Sequence, residues 1–176
     1  VAAAAGTGAL AARALPRSGI AFHRSVKDHD ALSLGALAGS AGYHVAQAIV
    51  TTTANFERHI GTPLMLRKEE FSLLMLLVAN GPLPPKRLAQ TLTLSAPNLT
   101  LVLDRLQERG VLDRERNPSD GRSQYIVLTK AGQALARDAM AAAAPMEQEL
   151  LERLSRAEHA MLIELLGKLA GRRPQG

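Results

Sequence analysis

The sequence has no cysteine and little aromatic content. Without cysteine, the chain can form no disulfide, zinc–thiolate site, iron–sulfur cluster or thiol redox switch. It has no tryptophan, and aromatic residues make up only 3% of it, which disfavours a surface that stacks single-stranded bases. Polar residues interrupt every hydrophobic run before ~18 residues, so we predict no transmembrane helix and no membrane partner.

Motifs for catalysis are also missing. None of the five histidines is paired at a spacing of four, and the sequence has no His-Glu-x-x-His, Gly-x-Ser-x-Gly, phosphate loop or dinucleotide fingerprint. We therefore predict that the protein is not an enzyme and has neither a metal site nor a cofactor. A histidine site formed across a dimer stays open.

The positive charge is concentrated in one part of the chain. The net charge is +5 over 176 residues, a length suited to one domain with a tail. Residues 84–130 carry 8 basic and 5 acidic residues, or +3, whereas residues 131–176 carry 6 of each, or zero. A local basic excess favours a polyanionic partner for the middle segment.

The chain begins with an Ala- and Gly-rich stretch, residues 1–31, which we expect to be a flexible arm or an arm that embraces a partner subunit. Its uncharged residues precede Arg13 and Arg17, the reverse of the order in a signal peptide. We therefore expect a cytoplasmic protein.

Helical periodicity dominates the chain from residue 34 to residue 79. Apolar residues recur every three or four positions from Leu34 to Ile60, which predicts one long amphipathic helix stopped by Gly61 and Pro63. A second helix is predicted over about 68–79.

A helix-turn-helix and a hairpin come next. One helix is predicted from Pro85 to about Thr91, and a second runs from its N-cap Ser95 to Arg109 and ends at Gly110. Segments 111–116 and 123–128 are predicted to be strands, joined by residues 117–121, which are rich in turn-forming residues.

Two more helices complete the chain. Thr129 caps a long helix to about Leu154, which Pro145 should bend or break, and Ser155 caps the last helix. The predicted fold class is mainly α with a small β-hairpin (α+β), a winged helix-turn-helix flanked by long dimerisation helices.

Residues 99–132 contain an ordered motif that consists of Asp-Arg-Leu at 104–106, Gly110, Asp-x-Arg at 120–122, Leu-Thr at 128–129 and Gly132. This stretch resembles the signature of the MarR family of bacterial transcriptional regulators. The resemblance implies a homodimer that binds pseudo-palindromic double-stranded DNA, usually as a repressor, and a ligand cleft between the dimerisation helices and the winged domain.

The predicted domains divide the chain into four parts. An arm spans 1–31, a dimerisation and ligand-cleft helix 32–67, the winged domain 68–130, and the C-terminal dimerisation helices 131–176.

The second helix of the predicted helix-turn-helix, from Ser95 to Arg109, is the recognition helix, and it has two faces. Leu99, Val102 and Leu103 share a buried face with Leu106, which leaves the opposite face for the major groove. The groove candidates are Ser95, Pro97, Asn98, Thr100 and Leu101. Asn can pair with adenine, and the methyl groups of Thr and Leu can touch thymine. Relatives often carry Arg or another polar residue where Leu101 stands, so we expect few guanine contacts and more dependence on DNA shape.

Basic side chains surround this helix. The predicted phosphate or minor-groove contacts are Lys86, Arg87, Arg105, Arg114, Arg116 and Arg122. By its position in the family motif, Arg122 is the minor-groove probe, and its loss should flatten the salt dependence by roughly one unit. Asp120 is expected to order the wing by pairing with an arginine such as Arg116.

The leucines of the last two helices exceed what one winged domain can cover. They predict either a two-fold dimer or an intramolecular core, and the dimerisation candidates are Leu150, Leu154, Leu162, Leu165, Leu166 and Leu169.

A predicted ligand cleft would suit a small aromatic carboxylate. Its candidates are Tyr43, His44, Gln47, Thr51, Met65, Arg67, Phe71 and Met75, with Arg67 or His44 pairing with the carboxyl group. The same residues could equally be helix-packing residues around an empty cleft. For the whole protein, the alternative to a DNA-binding regulator is a winged-helix protein-interaction module that does not bind DNA.

Overall fold

The computed structural model describes residues 32–117 and 120–171, with backbone only at 117 and 120–123. One unit ends at Gly39 and contains a 3-10 helix, Gly35–Gly39; a second begins at Ser40. The second unit contains, in chain order, α1 Ala41–Phe56, α2 Thr62–Leu64, α3 Lys68–Asn80, α4 Pro85–Leu92, α5 Ala96–Glu108, β1 Leu112–Asn117, β2 Asp120–Leu128, α6 Lys130–Leu151 and α7 Arg156–Leu169. This order confirms the predicted fold class, a winged helix-turn-helix between helices.

The first predicted helix is wrong at both ends. Ser40 has an extended backbone and its side chain accepts the amide of Tyr43, so the α-helix begins after Ser40 rather than near Leu34. The helix also does not stop at Gly61. It passes through a π-helical turn, Glu57–Gly61, and continues into α2, which contains Pro63. Met65, in the left-handed conformation with φ +52°, ends the helical stretch.

The core of the winged domain is aliphatic. Leu73, Leu74 and Leu77 of α3 pack with Leu88 of α4 and with the buried face of α5. That face consists of Leu99, Val102, Leu103 and Leu106, as the spacing predicts. Burying a leucine of this size contributes about 1.5–3 kcal/mol, so this cluster fixes the positions of the helices around it.

The hairpin is an antiparallel ladder that joins the same core. Arg114 pairs with Ile126 and Arg116 with Gln124, and Ile126 is fully buried. Leu83 and Ile126 exchange backbone hydrogen bonds of 3.2 and 2.9 Å, which adds a short bridge beside β2. The wing is thus anchored to the segment between α3 and α4.

The junction between the wing and α6 explains the Leu-Thr-x-x-Gly motif. Thr129 Oγ1 donates to the carbonyl of Gly110 at 2.6 Å and accepts the amide of Gly132 at 3.0 Å. Gly132 is buried, and a Cβ there would lie 1.9 Å from the carbonyl oxygen of Val111. Only glycine therefore allows α6 to start this close to the beginning of the wing.

The last two helices differ in burial: Ala136 and Ala139 of α6 belong to the core, whereas α7 has no buried residue. Pro145 lies inside α6 without breaking it, and α6 ends at Leu151, earlier than predicted. Ser155 caps α7 in a reciprocal pair with Glu158, as predicted for its N-terminus. Within the described residues, no helix is long and apolar enough to cross a membrane.

Candidate nucleic-acid interface and ligand cleft

The turn between α4 and α5 sets the angle of the second helix. Thr93 adopts the left-handed conformation at φ +56°, and the amide of Leu94 bonds to the carbonyl of Ala89 at 2.9 Å. Ser95 then caps α5 by accepting the amide of Asn98 at 3.4 Å. A β-branched residue rarely adopts this backbone conformation, so the tight turn is held by its surroundings.

The exposed face of α5 is the one the sequence predicts. Ser95, Pro97, Asn98, Thr100 and Leu101 are all exposed, and Leu101 keeps 60% of its surface in contact with solvent. Thr100 Oγ1 donates to the carbonyl of Ala96 at 3.0 Å. Because its hydroxyl is occupied within the helix, Thr100 offers mainly its methyl group to a ligand.

A groove of about 880 Å³ runs beside this face. Lys86 and Gln90 of α4, Thr100 of α5, and Arg114 and Gln124 of the hairpin contribute polar side chains to it. Lys86 and Arg87 are exposed at the start of α4, and Arg116 is exposed on β1. The cations therefore flank the apolar N-terminal half of α5.

Two of the predicted DNA-contacting arginines already have carboxylate partners. Arg105 donates from Nε to Glu70 Oε1 at 3.1 Å, and Glu70 is only 3% exposed. Arg114 pairs with Asp104 of α5. The predicted DNA contact of Arg105 stays a prediction, and its pairing with Glu70, in the first turn of α3, is a contact that the sequence did not indicate.

The tip of the wing falls outside the described side chains. Asp120 and Arg122 belong to β2 by their backbone, but their side chains lie beyond the described atoms. The predicted pairing of Asp120 with Arg116 and the predicted minor-groove role of Arg122 both stay predictions.

The predicted set of ligand-cleft residues stays a prediction. Tyr43 and His44 form an edge-to-face ring pair on α1, with centroids 5.4 Å apart, while Met65 is 76% exposed and Arg67 is also exposed. A cleft of about 280 Å³ lies between α1, α3 and α6, lined by Thr52, Asn55, Phe56, Lys68, Phe71, Ser72, Met146, Glu147 and Leu150. Of the eight predicted residues only Phe71 lines it, because α6, and not the strand after Gly110, forms one of its walls.

Asn55 is a cleft residue that sequence reasoning did not identify. It is 2% exposed, its Nδ2 donates to the carbonyl of Met146 at 2.9 Å, and its Oδ1 has no partner among the described residues. Phe56 and Phe71 form an edge-to-face pair beside it, with centroids 5.8 Å apart. An amide next to Phe56 on the apolar stripe of the helix was the available signal.

A charged cluster ties α6 to the π-helical turn. Glu149 accepts hydrogen bonds from His59 at 2.9 Å and from Arg58 at 3.0 Å. The hydrogen bond with His59 is the main cause that lowers the pKa of Glu149 below its ordinary value, and Arg58 adds to it. No group of three potential ligands for a metal ion occurs in the described part of the chain.

The surface of α7 is apolar and uncovered. None of its residues is buried, and its large apolar side chains are 42–67% exposed: Met161, Leu162, Ile163, Leu165, Leu166 and Leu169. Leu150 and Leu154 are partly buried. Within the described residues, the leucines of α7 are therefore not part of a buried core.

Known proteins resemble this chain in sequence and in fold. The family model described as MarR family matches residues 66–124. A Thauera aromatica protein, named as a putative transcriptional regulatory protein for the hcr operon, is 30% identical over 77% of this chain and 81% of its own length.

Solved structures also resemble this chain. The transcriptional repressor CouR bound to a 23-mer DNA duplex is 33% identical, with a TM-score of 0.75 over 80% of this chain and 99% of that one. CouR bound to p-coumaroyl-CoA is 30% identical, with a TM-score of 0.71 over 80% and 98%. These relatives are regulators rather than enzymes. The chain belongs to the MarR family of transcriptional regulators.

Proposed function

We propose that the protein is a cytoplasmic homodimeric repressor that binds a pseudo-palindromic DNA duplex and is released from it by a small aromatic effector. The observation that carries the proposal is the exposed N-terminal half of α5, which presents Asn98, Thr100 and Leu101 opposite a fully buried face. The N-terminal residues of such a helix are the ones that reach base edges in the major groove.

The exposed side chains suit A·T-rich contacts. Asn98 has an exposed amide group suited to paired hydrogen bonds with adenine, and Thr100 and Leu101 offer methyl groups to thymine. Residues 95–103 contain no Lys or Arg, so guanine contacts, which usually come from these residues, are not available there. DNA shape supplies the remaining specificity.

Basic residues on the elements beside α5 are proposed to contact phosphates. Lys86 and Arg87 on α4 and Arg116 on β1 are exposed, and we assign them to phosphates together with Arg114, while Arg122 in the wing keeps its proposed minor-groove role. Each such contact contributes about one unit to the slope of affinity against salt. Asp120 keeps its proposed role in ordering the wing.

The dimer is proposed from the exposed apolar surface of α7. A symmetric pair of these helices would cover Leu162, Leu165, Leu166 and Leu169. Two-fold symmetry then places two recognition helices about 34 Å apart, one turn of DNA. A pseudo-palindromic operator is the DNA sequence that matches this symmetry.

The effector is proposed to bind in the cleft between α1, α3 and α6. Phe56 and Phe71 offer ring contacts, Lys68 offers a positive charge, and Asn55 offers an amide with an unpaired oxygen within the described residues. CouR, a relative, is described as bound to p-coumaroyl-CoA. Apolar walls with a few polar groups suit an aromatic acid or its ester.

DNA binding is tested by fluorescence anisotropy on duplex DNA from upstream of the protein's own gene, with a random duplex of equal length and several salt concentrations. We expect a clear preference for the upstream duplex. Asn98→Ala should weaken that preference by about 1–3 kcal/mol, the value of a paired side-chain contact to a base, and Asn80→Ala, an exposed change remote from α5, should not. Equal binding to both duplexes, or none, would contradict the proposal and favour a protein-interaction module.

A further inference from the structure

The first turn of α3 touches two functional regions at once. Lys68, Phe71 and Ser72 line the ligand cleft. Glu70 lies between them in sequence, yet it is buried and contacts the recognition helix instead. Burying a carboxylate costs free energy unless the group is paired and hydrogen-bonded. The partners of Glu70 therefore indicate its role.

Each oxygen of Glu70 has a defined partner. Oε1 accepts from Arg105 Nε at 3.1 Å, and Oε2 accepts the backbone amide of Arg67 at 2.9 Å. Arg109 Nη1 lies 3.9 Å from Oε2. One carboxylate thus holds two arginines of the α5 region and the start of its own helix.

Arg109 extends the same link to the end of α2. Its guanidinium donates to the carbonyl of Met65 at 2.7 Å and to that of Leu64 at 3.2 Å. These charge-assisted bonds are directional, whereas the leucine contacts on the buried face of α5 allow small rotations and shifts. The orientation of α5 therefore depends on this cluster as well as on the aliphatic core.

We propose that Glu70 is a positioning residue. It fixes the angle between α3 and the recognition helix α5 through Arg105 and Arg109. Because its turn also forms a wall of the ligand cleft, occupancy of the cleft changes that angle through Glu70. Arg105 then acts through Glu70 and not on a phosphate. The DNA-binding and cleft parts of this inference rest on the proposed function.

The first test compares DNA binding by Glu70→Gln, Arg105→Gln and the matched control Glu69→Gln, an exposed neighbour. We expect the first two to lose about ten-fold in affinity for the upstream duplex, with little change on random DNA and no change in salt slope. Glu69→Gln should behave as the unaltered protein does. If Arg105 binds a phosphate instead, its variant loses about one unit of salt slope on both duplexes, and the proposal fails.

The second test needs no DNA and separates this inference from the proposed function. Amide hydrogen exchange of the free full-length protein should become faster in α5 in Glu70→Gln and Arg105→Gln, but not in Glu69→Gln. Unchanged exchange in α5 would overturn the positioning role even if DNA binding is specific. If Glu70→Gln does not fold, Arg105→Lys, which keeps the charge but loses the planar fork, should show the same faster exchange.

The third test fills the cleft without a ligand. Ser72→Phe places a ring in the 280 Å³ cleft, and we expect it to change affinity for the upstream duplex several-fold. In the Glu70→Gln background the same substitution should have a much smaller effect. An equal effect in both backgrounds would show that the cleft does not act through Glu70.

Discussion

Single residues determine how closely neighbouring elements of this molecule can approach. Gly132 is an example, because the backbone carbonyl of Val111 leaves no room for a Cβ at this position. Other residues of the MarR-like motif also connect elements: Thr129 and Gly132 join the start of α6 to the start of the wing, and Asp104 of α5 pairs with Arg114 of β1.

Gly132→Ala should be strongly destabilising. The added Cβ would lie 1.9 Å from the carbonyl oxygen of Val111, so either α6 or the start of the wing must move. We expect a loss of at least about 1–3 kcal/mol in the free energy of unfolding, measured by urea denaturation. Gly42→Ala, where nothing lies within 4 Å of the new Cβ, should be neutral or slightly stabilising; a similar loss in both would refute the steric account.

Glu149 should make stability depend on acid pH. Its pKa is lowered in the folded protein by hydrogen bonds from His59 and Arg58, so its ionised form stabilises the fold above its ordinary pKa. This contribution is lost as the pH falls through the lowered pKa. We expect Glu149→Gln to lower the thermal midpoint near neutral pH and to lessen its fall on acidification, whereas Glu152→Gln should match the unaltered protein. An unaltered acid profile in Glu149→Gln would refute this role.

Among the elements, α5 shows how one helix serves both stability and recognition. Its buried leucines join the core, while the side chains of Asn98 and Leu101 on its other face stay exposed. The two roles are separable by residue, because they lie on opposite sides of the same helix.

A pair of alanine substitutions in α5 should separate these roles. Leu106→Ala removes a fully buried side chain and should cost about 2–5 kcal/mol of stability. Leu101→Ala, at an exposed position, should leave stability within about 0.5 kcal/mol and yet weaken binding to the upstream duplex. Denaturation and anisotropy measured on both variants would check this, and a large stability loss in Leu101→Ala would contradict the assignment of faces.

Periodicity predicts α3, α4 and α5 to within about a residue or two, since their apolar spacing, caps and turns all agree. It fails at Ser40 and at Gly61. At Ser40 a local capping bond overrides continuous helical spacing, and at Gly61 a π-helical turn carries the chain past glycine and proline. These are choices between local conformations of similar free energy, and apolar spacing does not distinguish them.

At the scale of the whole molecule, the uncovered apolar surface is the main feature. The described unit buries an aliphatic core around α3, α4 and α5 but leaves α7 without any buried residue. Such a helix is unstable on its own in water. We therefore propose that α7 of a second copy of this chain packs against its apolar surface.

Leu166→Asp should dissociate the proposed dimer. A charge at this position would be desolvated between two apolar helices, and we expect a shift towards monomer in sedimentation velocity at micromolar concentration. DNA affinity should fall as well, because one protomer contacts only one half-site. Glu164→Gln, a change on the same helix that removes a charge, should stay dimeric. A variant Leu166→Asp that remains fully dimeric would show that α7 is not the interface.

Spacing, capping residues and composition, which act over short stretches of chain, predict the family, the order of helices and hairpin, the buried and exposed faces of α5, and the absence of cysteine chemistry. Only packing brings particular side chains together: Arg105 pairs with Glu70, Asn55 lies with residues of α6 in one cleft, and Gly132 meets Val111. Such contacts join residues far apart in the chain, and their geometry depends on how the helices pack.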